Sequence, residues 1–145
     1  MSNPGVIALL GGLAAQAAKV VVELLVRRRW RPTLFFSNGG MPSSHTATVT
    51  TLTLLVGRSE GWDSTVFSLV VVFSLFVMLE ATGLRQEIGH QAQILNELMD
   101  EALAGEHVDG RRLRELVGHT WGEVTGGLVF GVLFTLLWWE TTPAG

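Results

Sequence analysis

Three runs of about twenty apolar residues constrain this chain more than any other feature. The first covers 6–26 and is interrupted only by Gln16, Lys19 and Glu23. The second covers 64–84, with nothing more polar than serine between Val66 and Leu79, and the third covers 120–139. A helix needs about 20 such residues to cross the hydrocarbon core of a bilayer. A soluble globule of 145 residues has too little interior to hide three of them. A fourth stretch, 44–56, is shorter and rich in threonine before it turns apolar. The prediction is an all-α integral membrane helical bundle of about four transmembrane helices, at 6–26, 44–56, 64–84 and 120–139, in a single domain. The first run lacks a basic leader and is longer than the apolar core of an ordinary signal peptide, so it is expected to be retained.

The connecting segments read differently. Phe36 to Met41 contains Ser37-Asn38-Gly39-Gly40 and reads as a turn, after which Pro42 suits the first turn of a helix. Residues 86–117 form a helical insertion, cytoplasmic in the orientation derived below. Within it Ile88, Ala92, Leu95, Met99 and Leu103 recur at helical spacing among acids and amides, the pattern of an amphipathic helix. It could lie at the membrane interface or pack on the protein's own loops. The five tryptophans sit mainly at the edges of apolar runs, as in an interfacial belt. A net charge of −3 without a basic face gives no reason to expect a nucleic-acid partner. With no cysteine there is no disulfide, thiolate nucleophile or cysteine-based zinc site.

Charge orients the spans. Of the ten Lys and Arg residues, Arg27, Arg28, Arg29 and Arg31 follow the first span, and Arg85, Arg111, Arg112 and Arg114 lie between the third and fourth. Arg58 stands alone on the opposite side, and Lys19 is inside a span. The positive-inside rule then places both termini outside and the two long loops in the cytoplasm.

Ionisable groups inside a membrane are costly and mark function by default. Gln16, Lys19, Glu23 and Arg27 follow one another at spacings of three, four and four, a single stripe on the first span. A Lys19–Glu23 pair that satisfies itself is the plain alternative. His119 and Glu123 are four apart at the start of the last span, where a carboxylate can fix the tautomer of an imidazole. His45 ends Gly39-Gly40-Met41-Pro42-Ser43-Ser44-His45, a glycine-rich turn entering a helix start, the arrangement that holds phosphates. Ser43 and Ser44 could equally be N-caps. The second and fourth spans both begin on the cytoplasmic side, so both positive helix ends, two histidines, a carboxylate and the arginines converge there. An anion site is the economical explanation.

These residues resemble the type 2 phosphatidic acid phosphatase and vanadium-dependent haloperoxidase superfamily, and in particular its small divergent membrane branch. The superfamily's second motif, Pro-Ser-Gly-His, is similar to Pro42-Ser43-Ser44-His45, and Gly118 to Val124 looks like the end of its third. Ala81-Thr82-Gly83-Leu84-Arg85, Gln91-Ala92 and Leu95-Asn96 are similar to the divergent branch. The chain also departs from the pattern. Seven residues, not six, separate Lys19 from Arg27; Leu113 stands where the third motif has arginine, and Glu123 replaces its aspartate. Arg85, Arg112 and Arg114 are the candidates for the missing arginine.

The resemblance implies a membrane phosphatase for a lipid phosphate or related phosphomonoester, acting through a phosphohistidine without metal or other cofactor. It makes His119 the nucleophile, Glu123 the residue that holds its ring, and His45 the acid and later the base. Lys19, Arg85 and Arg27, with Gly40, Ser43 and Ser44, would bind the phosphoryl oxygens. A fold kept as a catalytically inactive, headgroup-binding or interaction module is the alternative, and a transporter a weaker one, since no inverted repeat is visible. The expected location is the bacterial inner (plasma) membrane, with both termini outside and the site cytoplasmic. Gly122 with Gly126, and Gly127 with Gly131, permit close helix approach, either within the chain or in a homodimer.

Overall fold

Asn3 opens the first helix: its side chain accepts the Gly5 N–H at 2.9 Å, and Pro4 follows at a position whose missing N–H costs nothing. In this computed structural model residues 3–36, 40–102 and 120–141 are described, and at positions 27, 36, 84–86, 101 and 102 the backbone alone. Helix α1, Pro4–Arg27, ends where Arg28 turns into the left-handed region. A 3-10 turn, Pro32–Phe36, precedes helix α2, Ser44–Glu60. Helix α3 is Thr65–Ala102 and helix α4 is Trp121–Thr141. Among the described residues there is no strand, and the all-helical prediction holds.

Three helical segments, Pro4–Val26, Thr65–Asp100 and Trp121–Thr141, are long and apolar enough to cross a membrane. Their faces are sorted as lipid demands. On α1 the inward positions are Ala8, Gly12, Ala15 and Lys19, all at small-residue spacing except the lysine, while Val6, Leu9, Leu13 and Leu25 point outward. Helix α4 buries Val124, Gly127, Gly131 and Thr135 and exposes Leu128, Leu133, Leu136 and Leu137. Large apolar side chains outside and small ones inside is the pattern of helices that gain nothing from hiding leucine and much from close backbone approach.

Helix α2, at 17 residues shorter than these three and rich in threonine, is polar for a physical reason. It packs against α1, α3 and α4, so its side chains meet protein and not lipid. Several of its threonines find partners within that packing: Thr48 and Thr53 donate to carbonyls one turn back at 2.9 and 2.7 Å, and Thr53 pairs with Ser74 of α3 at 2.8 Å, whereas the buried Thr50 hydroxyl has no partner among the described residues. Thr51 reaches the Gly131 carbonyl of α4 at 3.4 Å. Glycine lets these helices close. A Cβ at Gly131 would stand 2.8 Å from the Ala47 carbonyl oxygen and 2.9 Å from Thr50 Cβ, and one at Gly12 would collide with Thr48. The glycines 127 and 131 are thus used against α2 inside the chain.

Helix α3 differs from the expected span and separate amphipathic helix. It runs 38 residues without a break, about 57 Å at 1.5 Å per residue, nearly twice the ~30 Å apolar core. No proline interrupts it, and Arg85, Gln86 and Glu87 all favour helix. Its second half buries Ala92 and Asn96 on one face. Pro42 also differs: the helix starts at Ser44, with Pro42 one residue ahead of the Ser43 cap.

The helices run alternately, so that the starts of α2 and α4 share one end of the bundle. There the Ser43 N–H donates to the Glu123 main-chain oxygen at 3.0 Å. At the other end Arg58 sits over the Trp139 ring, 4.7 Å from its centroid.

Candidate functional site

The site is built where α2 and α4 begin and α1 passes beneath them. Ser43 caps α2: its hydroxyl accepts the Thr46 N–H at 3.4 Å and the Thr46 hydroxyl at 3.1 Å. It is fully buried. Ser44 is the first helical residue and also buried, and His45, next along, is exposed at the end of the bundle. The turn ahead of this cap contains a cis Met41–Pro42 peptide and Gly40 at φ +96°, a left-handed conformation that glycine adopts readily.

Helix α4 opens with a reciprocal cap. Thr120 Oγ1 accepts the Glu123 N–H at 3.3 Å, and Glu123 Oε2 accepts the Thr120 N–H at 3.0 Å. This is the Thr-x-x-Glu capping box, which satisfies two otherwise orphaned amides at the helix start. The other carboxylate oxygen, Oε1, accepts the Gly40 N–H at 3.1 Å across 83 residues of sequence. Glu123 therefore holds the Gly40 turn twice over, by its side chain at Gly40 and by its main-chain oxygen at Ser43.

Beneath this turn lies Lys19. It is only 2% exposed, and its Cδ is 3.8 Å from where a Cβ on Gly40 would stand. Glu123 is the carboxylate that acts on it electrostatically. A lysine within a membrane helix is expensive to bury. The opposing carboxylate offsets part of that cost. Lys19 thus points into the junction of α1, the Gly40 turn and α4, in keeping with its place on the inward stripe of α1. Gln16, one turn earlier on the stripe, has its Oε1 buried without a hydrogen-bond partner among the described residues.

The structure thus brings together Lys19, Gly40, Ser43, Ser44, His45 and Glu123 of the residues singled out from sequence. Arg85 lies on α3 one turn past the buried Thr82, and Arg27 is the last residue of α1; neither side chain is described. His119, Arg112 and Arg114 lie outside the described residues. Two engagements were not anticipated. The Gly40 and Ser43 amides, expected to be free for phosphoryl oxygens, are bonded to Glu123. Thr120 was overlooked as a partner of Glu123, although the Thr120-x-x-Glu123 spacing is a legible signature of the cap. Met41 was also missed; its Cε would stand 2.8 Å from a Cβ on Gly126, so it fastens the turn to α4. Among the described residues no group of three or more His, Asp or Glu gathers that could hold a metal.

Chemically, a buried ammonium, a tight turn, two helix N-termini and an exposed imidazole stand at one end of a membrane bundle; such donors are of the kind that hold oxyanions, and here the Glu123 carboxylate engages two of them. The sequence matches the profile of the divergent PAP2 family over residues 2–134. It is also similar to the uncharacterized membrane protein YuiD of Bacillus subtilis (strain 168), 38% identical over 144 residues, covering 89% of this chain and 91% of that protein. No solved structure matches.

Proposed function

This chain belongs to the divergent PAP2 family, and from that premise we propose that it is a membrane-embedded phosphatase acting on a lipid phosphate or related phosphomonoester at the cytoplasmic face. The observation that supports the reading is the junction of Lys19, the Gly40 turn and the start of α4 at one end of a membrane bundle, where a buried ammonium meets a helix N-terminus. The cytoplasmic assignment rests on the arginines that follow α1 and those that lie between α3 and α4.

In the proposed reaction the His119 imidazole nitrogen bonds to phosphorus as the ester P–O bond breaks, and His45, protonated, gives its proton to the departing alkoxide. His45 then takes a proton from water, whose oxygen attacks the phosphohistidine and releases inorganic phosphate and His119. Lys19 and Arg85 offset the charge that builds on the equatorial oxygens. The test is phosphate release from a panel of lipid phosphates by purified protein in detergent, without added metal. Wild type is expected to turn over and to be inhibited by vanadate, and His119→Ala and His45→Ala to lose at least about a hundredfold in rate. Equal inertness of all three proteins would sink the enzymatic reading.

A second reading has its own support. The third motif has Leu113 where arginine is expected, and the amides at Gly40 and Ser43 are already bonded within the chain. The missing arginine favours a fold that binds anionic headgroups without hydrolysing them, and the engaged amides count against turnover; binding of lipid-phosphate vesicles, measured beside the phosphate-release assay, separates the two readings.

A further inference from the structure

We infer that Glu123 is a built-in competitor for the anion site: its carboxylate sits in the donor set that would hold a phosphoryl group, and an anion binds by displacing it. The inference rests on the phosphate-site reading above and adds to it the residue that sets the affinity of the site.

The Glu123 carboxylate is held as a bound oxyanion would be. One oxygen accepts the Gly40 N–H at 3.1 Å, the other accepts the Thr120 N–H at the start of α4 at 3.0 Å, and Lys19, 2% exposed, is a cation that interacts with it electrostatically. Two main-chain amides, a helix N-terminus and a buried ammonium are the components of a phosphate cradle. Here the chain fills that cradle from within. The Gly40 turn leaves no slack for a second acceptor alongside, because the Ser43 N–H is tied to the Glu123 main-chain oxygen and Met41 packs against Gly126.

Charge decides the direction of the competition. A phosphate dianion brings more negative charge to Lys19 and Gly40 than a carboxylate does, so it can take over both. It cannot share them, because two anions a few ångströms apart in a part-buried site repel strongly. Glu123 is thus a positioning residue that holds the turn closed in the empty site and yields to an anion of higher charge.

The test is calorimetric titration of the full chain in detergent with inorganic phosphate and, separately, with orthovanadate. Glu123→Gln removes the charge and keeps the cap, because glutamine serves in the same capping box. It is expected to bind both anions roughly tenfold or more tightly than wild type, the scale of one like-charge contact. Lys19→Met is expected to abolish binding in both backgrounds. If wild type binds and Glu123→Gln binds equally or more weakly, the competitor role is overturned while the phosphate site stands. Undiminished binding in Lys19→Met would also overturn it, by removing the cation from the site. If folded wild type and Glu123→Gln both fail to bind either anion at millimolar concentration, the phosphate-site reading itself falls. Should Glu123→Gln not fold, Glu123→Asp is the second probe. One methylene shorter, it draws the carboxylate back from Gly40 and is expected to bind phosphate more tightly than wild type; binding no tighter than wild type counts against the proposal.

Discussion

Gly40 and Gly61 separate what a backbone conformation costs from what a site requires. Both have φ near +95°, where a side chain costs about 1–2 kcal/mol. A Cβ at Gly61 meets nothing within 4 Å, whereas one at Gly40 would stand 3.8 Å from Lys19 Cδ, over the proposed anion junction. Both alanine variants are expected to lower the unfolding midpoint in detergent by similar amounts. Only Gly40→Ala is expected to weaken phosphate binding, because the strained turn shifts the amide that meets Glu123. Equal binding by the two variants would show that the turn plays no part in the site.

At the scale of elements, the packing of α2 is the feature on which the rest depends. It is enclosed by three helices that face lipid, and its close approach to α4 needs glycine at 127 and 131. Gly131→Val would drive a side chain into the Ala47 carbonyl and Thr50, an overpacking that costs about 1–3 kcal/mol. Gly83, on α3, has open space around it. Gly83→Ala should therefore stabilise by about 0.5–1 kcal/mol through helix propensity alone. Thermal unfolding of the two variants beside wild type checks both signs. The length of α3 belongs to this scale too. Helical spacing was legible in its second half, where of the expected apolar stripe Ala92 is buried while Ile88, Leu95 and Met99 are exposed, but the change from lipid-like to water-like composition near Arg85 suggested a boundary between two elements. Composition changes there while the backbone hydrogen-bond ladder does not, since no residue at that point breaks a helix.

For the whole molecule the arginine distribution predicts a topology that a chain without cysteine makes easy to test. Single cysteines can be introduced on a clean background. Arg58→Cys, beside Trp139 at one end of the bundle, is expected to react with a membrane-impermeant maleimide in intact cells, and Arg29→Cys only after permeabilisation. The reverse pattern would move the proposed anion site to the outer face and exclude a cytoplasmic substrate. The opposed ends of α2, with Arg58 at one and the Gly40 turn at the other, make the two outcomes exclusive.

Much of this molecule was legible in the sequence because the bilayer is a strict solvent. Run length fixed the membrane helices, and the same cost of burying charge singled out Lys19 and Glu123 as residues with a task. Spacing put Lys19 on one polar stripe with Gln16, Glu23 and Arg27, and the Pro42-to-His45 segment at a helix start; that Lys19 faces inward was decided by packing. Tertiary structure decided how those groups are engaged. That the Glu123 carboxylate meets Gly40, 83 residues away, follows from the parallel seating of α2 and α4 on their glycines, which no local pattern encodes. Likewise α2 reads as a weak span because hydropathy measures affinity for lipid, while this helix is solvated by its three neighbours. Local chemistry chose the residues; long-range packing chose their partners.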